Sequence, residues 1–240
     1  MTTQIDAQVS DPTGTGLDNP AWASLTGVHA RFAETHGRGA RYERDVAPFA
    51  AVADPTDPAA WVELGELAGR GGEVMVAAPR GVPVPLAWEL VFDVAGVQMV
   101  DTSLRTEPDP EAIELGAADV PEMLNLVARA QPGPFLERTV ELGRYIGIRR
   151  AGRLIAMAGE RLHPPGWTEI SAVCTDADHR GQGIASRLIR DVAAGIRARG
   201  ETPFLHTAAE NTGAIRLYES LGFSLRSETC FQRWILPDHR

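Results

Sequence analysis

The sequence predicts a mixed α/β (α+β) fold, and three observations carry that prediction. Short runs rich in apolar and β-branched residues alternate with stretches of helical period, most clearly between residues 167 and 198. Clusters of Pro, Gly and Asp punctuate the boundaries between them. A chain of 240 residues with 44% hydrophobic residues can fill one large core or two small ones.

Met1 to Asn19 is polar with Pro and Gly, which predicts a mobile start without the basic opening and apolar core of a signal peptide. Ala21 to Thr35 reads as a helix, followed by a loop through Gly37-Arg38-Gly39. A second helix begins at Pro58, capped by Asp57 and stopped at Gly69. A meander follows, with strands Glu73–Ala78, Val84–Asp93 and Val97–Asp101, broken at Pro79-Arg80-Gly81 and Ala95-Gly96. These pieces form an N-terminal α/β lobe over 20–105. Thr106-Glu107-Pro108-Asp109-Pro110 is polar and twice interrupted by proline, as a linker would be.

The second lobe, 111–240, opens with a strand at Ala112–Leu115 and a helix started by Asp119 and ended near Gln131-Pro132-Gly133-Pro134. A short helix over Phe135–Leu142 precedes strands Arg144–Arg149 and Leu154–Leu162, which turn at Ala151-Gly152. His163-Pro164-Pro165-Gly166 then leads into Trp167–Thr175, where Ile170, Ala172 and Cys174 alternate with Glu169, Ser171, Val173 and Thr175. The closing strands are Pro203–Thr207, Phe223–Leu225 and Glu228–Leu236.

After Thr175, Asp176-Ala177-Asp178 turns the chain into His179-Arg180-Gly181-Gln182-Gly183-Ile184-Ala185. From there Ile184, Leu188, Val192 and Ile196 mark the apolar stripe of a helix. Glycines at 181 and 183 remove the Cβ atoms that keep a ligand from the backbone, so amide N–H groups at the helix start can converge on an anion. Arg180 adds a guanidinium able to meet two phosphate oxygens. The spacing is neither a dinucleotide fingerprint nor a Walker loop, which requires a lysine, and this chain has none.

Near the C-terminus, Glu210 to Phe223 reads as a short helix with Asn211 as N-cap and Gly222 just past its end. Ala214, Leu217, Tyr218 and Leu221 share one face, with Arg216 and Glu219 outside.

Together these motifs resemble the GNAT superfamily of acyl-CoA-dependent N-acyltransferases. Arg180, Gly183 and Ala185 match its Arg/Gln-x-x-Gly-x-Gly/Ala signature; Asn211, Ala214, Leu217, Tyr218, Gly222 and Phe223 match its Asn-x-x-Ala-x-x-Leu-Tyr-x-x-x-Gly-Phe signature. Ile170 to Thr175 looks most like the branch that includes glycine N-acyltransferase-like proteins. The resemblance covers roughly Glu111 to the end and implies a central mixed sheet with helices on both faces. For the first lobe two readings stay open, a degenerate half of the same fold or an unrelated cap or dimerisation lobe; either would wall the acceptor site.

The resemblance implies acetyl-CoA as cosubstrate, seated between the strand carrying Ala172, Val173, Cys174 and Thr175 and a parallel strand near Leu205. Main-chain groups of Val173 and Thr175 would pair with the pantetheine, and the Val173 N–H would polarise the thioester carbonyl. Arg180, Gly181, Gln182, Gly183, Ile184, Ala185 and Ser186 would form the pyrophosphate cradle, with Asn211 and Ala214 on the pantetheine arm. Tyr218 would protonate the departing thiolate, and Glu169 would take a proton from the amine through a water, with Glu160 and His206 as fallback bases. The implied reaction is direct transfer of acetyl to a primary amine of a small molecule or amino acid in a ternary complex. The alternatives are a non-catalytic acetyl-CoA sensor or scaffold, and a peptide N-terminal acetyltransferase.

The formal net charge is −9, with most of the excess acid in the first 105 residues, which argues against nucleic-acid and membrane partners and favours a cationic acceptor amine. Cys174 and Cys230 read as buried thiols, and the scattered histidines offer no metal site. Trp61, Trp88, Trp167 and Trp234 divide between core and pocket, with core favoured. The expected setting is the cytoplasm, as monomer or homodimer.

Overall fold

The computed structural model describes residues 16–238. A three-stranded antiparallel sheet comes first, made of β1 (Ala33–His36), β2 (Gly39–Tyr42) and β3 (Ala50–Val52). The main sheet has eight strands, β4 (Glu73–Ala78), β5 (Glu89–Asp101), β6 (Ile113–Leu115), β7 (Tyr145–Arg150), β8 (Arg153–Glu160), β9 (Trp167–Thr175), β10 (Thr202–Ala208) and β11 (Phe223–Ile235). Their order is β4-β11-β5-β10-β9-β8-β7-β6. Only the β9–β10 pair is parallel; every other neighbour is antiparallel.

Five helices dress these sheets: α1 (Pro20–Leu25), α2 (Pro58–Ala68), α3 (Val120–Ala130), α4 (Ile184–Ala198) and α5 (Thr212–Leu221). Because side chains alternate across a strand, consecutive residues feed different cores. Ile146, Ile148, Ile155 and Leu205 pack with Leu188, Val192 and Ile196 of α4 and with Leu221 of α5. Tyr145, Leu154 and Met157 face the other way and bury Met123 and Leu126 of α3. Phe204 and Val100, also on that second face, join Leu17, Leu25, Phe32 and Tyr42. The predicted central mixed sheet with helices on both faces is thus the observed architecture.

Several local expectations are corrected. The helix expected over Ala21–Thr35 ends at Leu25, because Gly27 interrupts it and residues 33–36 are taken instead by a hairpin with β2. The expected strands Val84–Asp93 and Val97–Asp101 are one strand, β5, which runs straight through Ala95-Gly96. Gly96 marks a close approach rather than a turn, since a Cβ there would strike the Phe231 ring across the sheet. The last two of the three expected closing strands are likewise the single strand β11, with a register shift between Leu225 and Ser227 where the break was expected. The short helix over Phe135–Leu142 reduces to a 3₁₀ turn at Thr139–Leu142.

Residues 1–15 of the expected mobile start lie outside the described residues. Residues 16–19 are docked: Leu17 is buried, its carbonyl accepts from Gln98, and the Asn19 amide donates to Val52. The expected linker is also pinned. Asp109 is held by Arg187 at 2.6 and 2.7 Å, and its N–H donates to Asp191 at 2.7 Å, which fastens the segment along α4. The Arg187 hydrogen bonds outweigh burial and lower the Asp109 carboxyl below its usual range.

Candidate active site

β9 and β10 pair from Trp167–Thr202 to Glu169–Phe204 and then diverge. Their separation opens a cleft of about 750 Å³ on the C-terminal side of the parallel pair. Along its β9 wall, register slips between the Met157–Cys174 and Gly159–Ser171 pairs, and Ala172 adopts φ 52°. This bulge takes residues 172–173 out of the ladder with β8, while divergence from β10 leaves the opposite edge unpaired. The main chain beside Val173 is therefore free to bond a ligand.

The strand-to-helix turn forms the outer end. Gly181 and Gly183 have φ 75° and 72°, a region that disfavours L side chains, and nothing lies within 4 Å of where their Cβ atoms would be. The turn thus delivers the α4 N-terminus to open space. Arg180 bonds only the Thr175 carbonyl, at 3.3 Å, and makes no ion pair among the described residues. The neighbouring arginines are spoken for: Arg129 and Arg153 hold buried Asp176, and Arg187 holds Asp109. Thr175 Oγ1 and His179 Nδ1 are buried in the same wall without hydrogen-bond partners. Unpaired N–H groups, an unmatched guanidinium and orphaned polar atoms suit a pyrophosphate, so the cradle fits a CoA-type ligand.

The α5 wall supplies Asn211, whose side chain caps the helix by accepting from the Ala214 N–H at 3.2 Å, and Tyr218. Tyr218 packs edge-on against Phe223, and its hydroxyl has no partner among the described residues. Burial pushes that phenol up to about 12, so it stays protonated at neutral pH. Of the residues expected on acetyl-CoA, all line the cleft except Gln182, which is exposed beside it. Cys174 also lines it, but burial raises the thiol to about 12, which leaves it an inert packed group.

Glu169 differs from expectation. Its side chain is fully buried behind the cleft wall, gripped by Arg161 at 2.8 and 2.7 Å and by His206 Nδ1 at 2.7 Å. Burial alone would raise its carboxyl, but the Arg161 charge and hydrogen bonds, helped by His206, overcome this and hold it at about 2. A carboxylate so committed cannot reach an amine or its water. Glu160 is equally buried and held by Arg199, whereas His206 lines the cleft.

Local motifs gave no sign of the inner end. Phe49, Met75, Phe92 and Val94, all from the first 105 residues, meet Arg161, His206 and Phe231 there. Only the assembled sheet brings them together, and the signal within reach was the alternation of Phe92 and Val94 along β5. None of the tryptophans lines the cleft, and Trp61 and Trp88 are core.

The comparisons agree with this geometry. A family model described as FR47-like protein matches residues 145–232. A crystal structure from Novosphingobium aromaticivorans, assigned to the GNAT acetyltransferases, superposes with a TM-score of 0.84 and 40% identity over 92% of this chain and 98% of that one. N-alpha-acetyltransferase RimI of Mycobacterium tuberculosis is 37% identical over 82 residues, 33% of this chain, and the match spans about half (51%) of that relative's length. The [Ribosomal protein bS18]-alanine N-acetyltransferase of Escherichia coli is 29% identical over 116 residues, 46% of this chain and 78% of its own. The fold of this chain is that of the GNAT acetyltransferases. The chain belongs to the GNAT family.

Proposed function

We propose that this protein is an N-acetyltransferase that moves the acetyl group of acetyl-CoA to a primary amine by direct attack. The observation that carries the reading is the continuity of one cleft from the cradle at Arg180, past the β9 bulge, to Tyr218 and His206. Acetyl-CoA supplies an activated thioester; the remaining work falls to the chain. Gly181, Gly183 and Arg180 hold the pyrophosphate, and the main chain at Val173 and Thr175 pairs with the pantetheine arm. The Val173 N–H meets the negative charge that develops on the thioester oxygen, and Tyr218 gives its proton to the departing thiolate.

Glu169 acts through His206 rather than on the substrate. Gln98 presents its carbonyl to Arg226 and its amide to Leu17 and His206, so His206 Nε2 accepts and Nδ1 carries the hydrogen bonded to Glu169. That tautomer leaves Nε2 as the basic atom, able to take the amine proton when it gives up its 3.1 Å contact with Gln98. Residues 111–240 carry the cradle and the α5 helix, and residues 20–105 wall the acceptor end. The stretch Ile170–Thr175 supports kinship with the glycine N-acyltransferase-like branch, and two free buried thiols suit a cytoplasmic setting.

Free-thiol release from acetyl-CoA against amino acids, polyamines, aminoglycosides and short peptides, with an amine-free blank, tests the reading. Release above the blank with any acceptor supports transfer. Tight acetyl-CoA binding with no release across the panel would favour the sensor reading.

A further inference from the structure

We propose that Arg161 is a carboxylate-binding site at the inner end of the cleft, and that the acceptor is an α-amino acid with an apolar side chain. The proposal rests on the acetyltransferase reading above and specifies its acceptor.

Arg161 commits Nε and one Nη2 hydrogen to Glu169, and among the described residues nothing takes Nη1. Its guanidinium lies over the Phe49 ring, 4.7 Å from the centroid, and it lines the cleft. Stacking fixes the plane of the fork and leaves its outer N–H groups for a planar anion. The walls around it are Phe49, Met75, Phe92, Val94 and Phe231, which offer an apolar side chain a dry surface.

The spacing favours an α-amino acid. Arg161 Nη2 and His206 Nδ1 both sit 2.7 Å from the same oxygen, Oε1 of Glu169. The two side chains therefore stand side by side on Glu169, and an acceptor that offers its anion to the free Arg161 N–H groups and its amine to His206 Nε2 carries both groups in one small molecule, as an amino acid does. Charge points the same way. Among the described residues no Asp or Glu lines the cleft, despite the net charge of −9, and the Glu169 charge behind the wall is spent on Arg161, so a polyamine or aminoglycoside would find no carboxylate facing it.

The test uses the full chain and separates two failures. Calorimetric titration with N-acetyl-L-leucine, N-acetyl-L-phenylalanine and their amides reads the carboxylate contact without turnover, and a parallel titration with acetyl-CoA reads the cradle. The acids should bind about tenfold or more tightly than the amides, the least that charge-assisted hydrogen bonds to a carboxylate contribute. Arg161→Lys, which keeps a cation beside Glu169 but removes the fork, should erase that preference and leave acetyl-CoA binding in place. Free-thiol release should follow suit, with L-leucine ahead of leucinamide and spermidine. Equal affinity for acid and amide, or no affinity for either, overturns the carboxylate site even if acetyl-CoA binds. Loss of acetyl-CoA binding alone would overturn the parent reading instead. The acid–amide comparison on the unaltered protein decides the question whether or not the variant folds.

Discussion

Among the described residues the Tyr218 hydroxyl has no hydrogen-bond partner and Arg180 makes no ion pair, its one bond being to the Thr175 carbonyl. Burial holds the Tyr218 phenol at about 12, so it carries its proton at neutral pH. Tyr218→Phe keeps the ring packed on Phe223 and removes only that proton. Turnover should fall roughly 10²- to 10⁴-fold with acetyl-CoA affinity unchanged, checked by steady-state kinetics and equilibrium binding. Wild-type turnover would remove Tyr218 from the mechanism. Arg180→Ala takes away one ionic partner of the pyrophosphate and should weaken acetyl-CoA binding by about tenfold or more, measured by calorimetry, with little change in stability because Arg180 is exposed and unpaired.

At the scale of elements, one neutral histidine links the helix and hairpin of residues 20–42 to the 3₁₀ turn that precedes β7. His29 Nε2–H donates to the Leu142 carbonyl at 3.1 Å, and Nδ1 accepts from the Tyr42 hydroxyl at 2.9 Å, with the His163 ring 5.0 Å away. Burial, with the neighbouring His163, pushes its pKa down from the ordinary 6.5 to about 4, against the pull of the Leu142 hydrogen bond. Between those values the unfolded chain binds a proton that the folded one refuses, so stability present above pH 6.5 is lost as pH falls toward 4. The loss is on the order of 3 kcal/mol when the full shift is counted. Urea unfolding from pH 7 to pH 4 should show it, and His29→Gln should flatten that part of the curve. Glu169, lowered from 4.5 to about 2, adds a second loss at still lower pH with the same sign.

For the molecule as a whole, the decisive feature is β5. It lies between β10 and β11, pairing from Gly96 to Val100 with the former and from Glu89 to Asp101 with the latter. Residues 20–105 therefore supply a strand from the middle of the sheet. A fragment of residues 106–240 would expose both flanking strands and Phe204, which loses Val100 and its other N-terminal neighbours, and should not fold cooperatively; circular dichroism and size-exclusion chromatography check this. A folded, monomeric fragment would show that the two lobes are separable. Charge is likewise set at this scale: the net charge is −9, yet among the described residues no Asp or Glu lines the cleft.

The sequence by itself determined the cradle and the α5 helix. Gly181, Gly183, Asn211 and Gly222 act through backbone conformation and capping, which depend on residues a few positions apart and so remain visible in a linear chain. It also placed the strands of the main sheet, though not the small β1–β3 sheet, nor where β5 and β11 continue through glycine or a bulge, because a glycine that relieves a cross-sheet contact reads the same as one that makes a turn. Tertiary structure alone decided the lining of the inner end of the cleft and the burial of Glu169. A carboxylate on β9 looks equally able to face a cleft or a guanidinium until Arg161 and His206 are brought to it from other strands. Phe49, Phe92 and Phe231 become one wall only when β5 inserts beside β11. β5 and β11 meet from more than a hundred positions apart in the chain, and the energy of that pairing comes from burial in a sheet whose strand order no local pattern encodes.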